Sequence, residues 1–381
     1  MNTPKGEVVD AHGHIMEPTN LWIDYIDPKF RERALRFARS ADGIDHMLLD
    51  NRPSPYSYGV APFMGGTGIA YERLAEVAAI HYEDGPPPAF DPAQRLGYLD
   101  QAGVERSLIY PSCGLLWGSE LKDVALNDAY TRAYNDWVVD FCGTDRERLF
   151  PVGFLPVLDI DRAIAEVRRT AQLGVKGFVT FATPLTPFGF WSRDYDRLWA
   201  EIAATNLPLI FHPALNERFF GHQWATEADG ITDDRYLLYL ESCAVVVDLQ
   251  GALAQLFQGG VLDRFPDLKI VMLEIGAGWV WHYLERADVK YQRVGSASPL
   301  KHLPSDYFRR QIWVGVEPHE TMIPHIVERF GADRFIWGTD FPHWDCEPET
   351  LPMLRAAIAE LSADAQTAIL GGNAKTLFQL D

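Results

Sequence analysis

His12 and His14, one residue apart in the stretch DAHGH, are the first groups in this chain whose types and spacing suit shared chemistry. Extended backbone sends alternate side chains to one face, so both imidazoles point the same way. Two neutral imidazoles make half of a metal site of the kind that takes zinc, iron, cobalt or nickel. Each ring also needs a partner for its other nitrogen. His212 closes the apolar run PLIFH, where a histidine serves packing poorly and serves a ligand well. Asp340 closes IWGTD near the C-terminus. Taken singly, each has a plainer reading: a core histidine, or an aspartate capping the helix that follows. Taken together, they offer three histidines and a carboxylate to one point, provided the fold brings their strand ends to one rim.

Such a fold is readable in the chain. Short apolar runs cover residues 7–12, 107–111, 149–157, 175–181, 207–212, 269–275, 311–316 and 334–340. Near-continuous apolar runs of this length fit parallel strands buried on both faces. Helical spacing lies between them, over 159–173, 194–205, 240–258, 324–330 and 349–361. The first of these opens with acids and ends at Gly174, a helix-stop signal. Eight βα units in series predict a closed (β/α)8 TIM barrel, with residues 1–381 forming a single domain. In a closed barrel the first and eighth strands are neighbours, which sets Asp340 beside His12 and His14.

Residues 35–95, rich in Pro, Gly, Tyr and Ser, break the rhythm after the first strand. An insertion at that place is expected over the barrel mouth as a lid or pocket wall; a solvated loop or an oligomer contact is the other reading. A second insertion, 214–238, carries the aromatics Phe219, Phe220 and Trp224, which suit an apolar or aromatic substrate. His46, His81 and His222 fall in these insertions, and any of them could line the pocket.

The quoted motifs, with MLEIGAGW and IWGTDFPHWD, resemble the amidohydrolase superfamily, and more narrowly the amidohydrolase-related branch that includes aminocarboxymuconate-semialdehyde decarboxylase. The resemblance runs from the first strand to the C-terminus, excluding 35–95. It implies His12, His14 and His212 as metal ligands, with Asp340 as ligand and proton shuttle. It implies a homodimer. Two-metal relatives carry a modified lysine at the end of the fourth strand; here Lys176 lies near that strand's start, so one divalent ion is expected. Zinc is the first choice, with manganese, cobalt or iron as alternatives. Decarboxylases of the branch usually place a histidine at the end of the sixth strand, where this chain has Glu274. That carboxylate reads as a fifth ligand, a general base, or a partner that orients a ligand histidine. His343 could contact substrate or support Asp340.

The expected reaction is hydrolysis of a C–N, C–O or activated C–C bond in a small aromatic or carboxylated molecule, by a metal-activated water whose proton Asp340 accepts. The alternatives are non-oxidative decarboxylation and a non-catalytic barrel that only binds its ligand. A net charge of −19 argues against nucleic acid as a partner. No apolar run is long enough to span a membrane. The opening MNTPKGEVVDAHGH lacks a signal-type apolar stretch, and the four cysteines form no CxxC pair, so a cytoplasmic protein with reduced thiols is expected.

Overall fold

The computed structural model describes residues 7–41, 43–54, 64–70, 73, 80–214, 234–344 and 346–380, with no account of the side chains of 234–243. Twelve strands occur among them. β1 (Val9–His14), β5 (Arg106–Tyr110), β6 (Leu149–Pro151), β7 (Gly153–Phe154), β8 (Phe178–Phe181), β9 (Leu209–His212), β10 (Ile270–Met272), β11 (Ile312–Val316) and β12 (Phe335–Trp337) build the barrel; β2 (Arg36–Arg39), β3 (Asp45–Leu49) and β4 (Arg52–Pro53) form a separate antiparallel sheet. All neighbours in the barrel are parallel, and every residue of β1, β8, β9 and β11 is buried. This is the α/β barrel that the eight apolar runs predict.

Its closure rests on two backbone bonds beyond the assigned strand ends. Asp340 N donates to His12 O at 2.8 Å, and His14 N donates to Phe341 O at 2.7 Å. The eighth stave is thereby sewn to the first at the level of the histidines. Gly338 permits this approach: a Cβ there would lie 2.3 Å from the His12 Cβ and 2.6 Å from its backbone N.

Several boundaries differ from the sequence reading. The first strand runs two residues later, to His14, because its far end pairs with Tyr110. The third stave is two short pieces. Pro151 has no N–H for the ladder, so β6 pairs with β5 while β7 pairs with β8. Asn135, on the helix Val124–Cys142, holds the second piece, accepting from Phe154 N at 2.7 Å and donating to Phe154 O at 3.1 Å. The helix following β7 matches expectation: the Asp159 carboxylate accepts from Arg162 N, and Gly174 ends the helix in the left-handed region at φ 94°. The last predicted helix is shorter than expected, covering Thr350–Ala357.

The insertion after β1 is not a loop throughout. β2 and β3 pair as a hairpin, and the turn from β3 to β4 uses Asp50 and Asn51, both at positive φ. These residue types tolerate the left-handed region because their short polar side chains bond locally. The helix Pro92–Ala102 closes the insertion, capped by Asp91. His46 bonds Ser40 within the hairpin, and His81 is half exposed beside Asp45. His222, Phe219, Phe220 and Trp224 lie outside the described residues.

The insertion touches the barrel at Glu120, the last residue of the helix Cys113–Glu120, whose carboxylate accepts from Ser54 Oγ at 2.5 Å. Burial pushes the Glu120 carboxyl up from 4.5 to about 7, against the pull of Ser54 and Lys122. The native state therefore binds this proton more tightly than the unfolded chain does. The group's contribution to stability is complete below about pH 4.5 and is lost as pH rises through about 7. Such a displacement is at most about 3 kcal/mol, less after solvent screening. Glu120→Gln should match the wild type in melting temperature at pH 5 and exceed it at pH 8. Melting curves that stay parallel across this range would remove Glu120 as a pH-dependent element.

Candidate metal centre

The centre is built from the ends of β1, β9, β10 and β12. In β1 the pairing with β5 skips a residue between Asp10 and Gly13, a bulge that re-aims the segment carrying His12. The His12 N–H freed there goes to the Asp10 carboxylate at 3.1 Å. That carboxylate, fully buried, also accepts from Ser107 Oγ, Thr339 N and Thr339 Oγ1, each at 2.9 Å. One anion thus ties β1, β5 and the end of β12 into one unit. Burial raises the Asp10 carboxyl, and its four donors oppose that shift.

Above Asp10 three imidazoles converge. His12 Nε2 lies 2.9 Å from His14 Nε2 and 3.0 Å from His212 Nε2, and the last two are 3.3 Å apart. All three side chains are buried. The His14 Nδ1–H donates to Pro111 O at 2.8 Å, and the His212 Nδ1–H to Pro213 O at 2.6 Å. A carbonyl oxygen only accepts, so those nitrogens carry protons. Burial first, then the neighbouring imidazoles, hold His12 and His14 well below the ordinary histidine range, so both are neutral.

Glu274 completes the group. Its Oε2 lies 2.7 Å from His212 Nε2. A single proton on His12 Nε2 satisfies one neighbour at most. The three ring nitrogens and the Glu274 oxygen still crowd one point. A cation at the common point relieves every one of these contacts, and three imidazoles with a carboxylate are a donor set for a divalent ion. The residues present therefore fit a metal. His12, His14, His212 and Glu274 form one such group; His14, Asp340 and His343 form an overlapping one.

Asp340 sits on the other side of His14, with Oδ1 3.3 Å from His14 Nε2 and 3.2 Å from His343 Nδ1. The His343 ring stacks on His14 at 4.0 Å, and its Nε2 meets Ser112 Oγ at 2.8 Å. Glu274 and Asp340 both have positive φ, 60° and 57°, a costly setting for residues other than glycine that recurs where a site dictates side-chain direction. The imidazoles are sealed; the side chains of Glu274 and Asp340 are partly exposed, yet Glu274 Oε2 and both Asp340 oxygens are themselves buried.

All six residues singled out in the sequence therefore meet. Lys176 bonds Gln379 O, away from this rim. His282 is exposed on the helix Trp279–Val294. Asp10, Ser112 and Thr339 escaped the sequence reading. Asp10 shares the parity of His12 and His14, and Ser112 directly follows a strand run, so both carried a weak signal.

The geometry makes Gly338 a sensitive point. Gly338→Ala should push the first and eighth staves apart, weaken divalent-metal binding at least tenfold and lower the melting temperature by several degrees. Metal titration of the stripped protein checks this; wild-type affinity would show that the approach of the two staves does not govern the site.

The Amidohydrolase family model matches residues 9–380. The chain is 27% identical over 306 residues to gamma-resorcylate decarboxylase of Rhodococcus jostii (strain RHA1), covering 75% of this chain and 87% of that protein. An amidohydrolase structure from Mycobacterium avium subsp. paratuberculosis K-10 superposes with a TM-score of 0.80 at 21% identity, covering 98% of this chain and 99% of the other. A dihydroxybenzoic acid decarboxylase from Polaromonas sp. JS666, with bound manganese and 2-nitroresorcinol, gives 0.69 at 17% identity, covering 98% and 97%.

Proposed function

We propose, from the premise that this chain belongs to the amidohydrolase family, that it is a metal-dependent carboxy-lyase that removes a carboxyl group from a hydroxylated aromatic acid without oxidation. The observation that carries this reading is a division within the site. One group of side chains surrounds a point, and a carboxylate–imidazole pair, Asp340 with His343 at 3.2 Å, adjoins it at His14. Hydrolysis, the first expectation from sequence, gives way. Two of the three similar proteins named above are decarboxylases of aromatic acids. Decarboxylation needs an acid near the reacting carbon, and the Asp340–His343 pair is suited to hold that proton.

His12, His14, His212 and Glu274 are assigned as ligands, with Asp340 at their edge as a further ligand and as proton shuttle. A divalent ion there supplies positive charge to hold a carboxylate and its neighbouring hydroxyl. Manganese is favoured over zinc, because the similar decarboxylase holds manganese. Glu274, with its oxygen on His212, acts as ligand rather than acid, which removes the objection raised by the missing histidine.

His343, fixed between Asp340 and Ser112, keeps one proton at the Asp340 carboxylate. Asp340 delivers it to the ring carbon bearing the carboxyl group. The bond from that carbon to the carboxyl group then breaks. Its electron pair restores the aromatic ring, and carbon dioxide leaves. No oxidant or reductant takes part, and solvent returns the proton to the pair. The insertion serves as a pocket wall: Thr67 donates through N to Pro342 O at 3.1 Å and through Oγ1 to His343 O at 3.0 Å, bracing the loop of the proton donor. Cys113, Cys142 and Cys346, buried and unpaired, suit a reducing compartment such as the cytoplasm.

Protein stripped with a chelator and reloaded with manganese should release carbon dioxide from at least one member of a panel of mono- and dihydroxybenzoates. Ester or amide cleavage by the loaded enzyme, with no carbon dioxide from any panel member, would restore the hydrolytic reading. His343→Asn should lower kcat about 10²- to 10⁴-fold while leaving manganese affinity near the wild-type value. An equal loss of manganese binding would instead make His343 part of the ligand shell.

A further inference from the structure

Glu274 reaches His212 from an awkward backbone. β10 ends at Met272, Leu273 still donates to Phe211 O, and Glu274 then turns into the left-handed region. Two residues later Gly276 does the same at φ 61°. The helix Trp279–Val294 begins immediately afterwards. Within the stretch, Trp279 Nε1 donates to Gly276 O at 2.9 Å, which leaves the amides of Ala277 and Gly278 to be served from elsewhere. Their acceptor lies on the loop after β11.

The Glu320 carboxylate collects the amides of that stretch. Ala277 N donates to both of its oxygens, at 2.8 and 2.9 Å, and Gly278 N donates to Oε1 at 2.7 Å. Glu317 N, on Glu320's own loop, donates to Oε2 at 2.9 Å. The carboxylate fills the space above Gly276, where a Cβ would come within 2.6 Å of Oε1, so only glycine fits beneath it. It also sits at the N-terminus of a 16-residue helix, where a negative charge is favoured. The anion and the orphan amides of the helix thus lock the loop whose other end carries Glu274.

We infer that Glu320 is a positioning residue for the metal centre: its carboxylate clamps the amides of Ala277 and Gly278 and so holds Glu274 against the ion. The inference rests on the metal reading above and concerns binding of the ion alone. Partners that orient ligands commonly govern metal affinity by 10- to 100-fold. A residue that merely capped the helix would change thermal stability and leave the ion's affinity alone.

The test is a manganese titration of the metal-stripped full-length protein, reading free Mn²⁺ by its electron paramagnetic resonance signal with no substrate present. Glu320→Ala should weaken Mn²⁺ binding about tenfold or more. In a Glu274→Ala background the same substitution should add no further loss, because it acts through Glu274. Wild-type affinity in Glu320→Ala, or losses that add in the double variant, would overturn the inference. Should Glu320→Ala fail to fold, Glu320→Gln replaces it. Its amide oxygen still accepts from Ala277 and Gly278, but its NH2 faces Glu317 N–H, so a few-fold loss is expected and an unchanged affinity overturns the claim. A wild-type protein that binds no Mn²⁺ overturns the metal reading together with this one. Wild-type binding with an indifferent Glu320 overturns this one alone.

Discussion

Nitrogen lone pairs repel, and this fold holds three imidazole nitrogens within 3.3 Å of one another in a buried place. That arrangement is the constraint the rest of the structure serves. A buried cluster of ring nitrogens with too few protons to pair them all opposes folding. It persists because the surroundings leave the rings no other position. Pro111 O and Pro213 O fix the tautomers of His14 and His212. The bulge in β1 turns His12 inward, and Asp10 takes the amide that the bulge sets free. Gly338 lets the eighth stave press against the first. Each device costs something locally: a broken ladder, a buried anion, or two strand-end residues at positive φ. Their common return is one point in space that a divalent ion can occupy.

The same logic separates what residue types reveal from what they conceal. Side chains that act through their own chemistry were legible. His12, His14, His212, Glu274, Asp340 and His343 stand at the ends of apolar runs, where alternation and barrel closure say which way they point. The barrel itself was legible for a similar reason, since buried parallel strands must be apolar on both faces. Groups that act on backbone amides were not. Asp10 and Glu320 look like ordinary acids until the coordinates show which N–H groups they collect. The hairpin of the insertion was hidden by its polar content, although Asp50 and Asn51 are suited to the tight turn they make. The β6/β7 break was hidden because Pro151 lies within an apolar run that otherwise reads as one strand.

In the proposed reading, the choice of decarboxylation over hydrolysis draws on placement as well as on the decarboxylases the chain resembles. Both reactions use a metal and a carboxylate. They differ in whether the second carboxylate must accept a proton from water or supply one to carbon. Glu274 lies against His212, and Asp340 lies against His343, so the two acids have different partners. Environments that set two acids apart in this way are the usual means of giving them different roles. Residue types alone could not assign those roles, because Glu274 and Asp340 carry the same functional group.

The site's charge also bears on its substrate. The chain carries a net charge of −19, and the centre itself holds two carboxylates, Glu274 and Asp340. An aromatic acid arriving there meets like charge from the whole surface and from the rim. The three imidazoles cannot offset this, since burial and mutual repulsion keep at least His12 and His14 neutral. The ion assigned to the cluster does so locally, because its double charge acts at contact distance while distant surface charges are screened. An anionic substrate is therefore compatible with so acidic a protein only where the metal stands. On the proposed reading, this is why the histidine cluster and the two acids share one site: the acids would hold the ion and the proton, and the ion would hold the substrate.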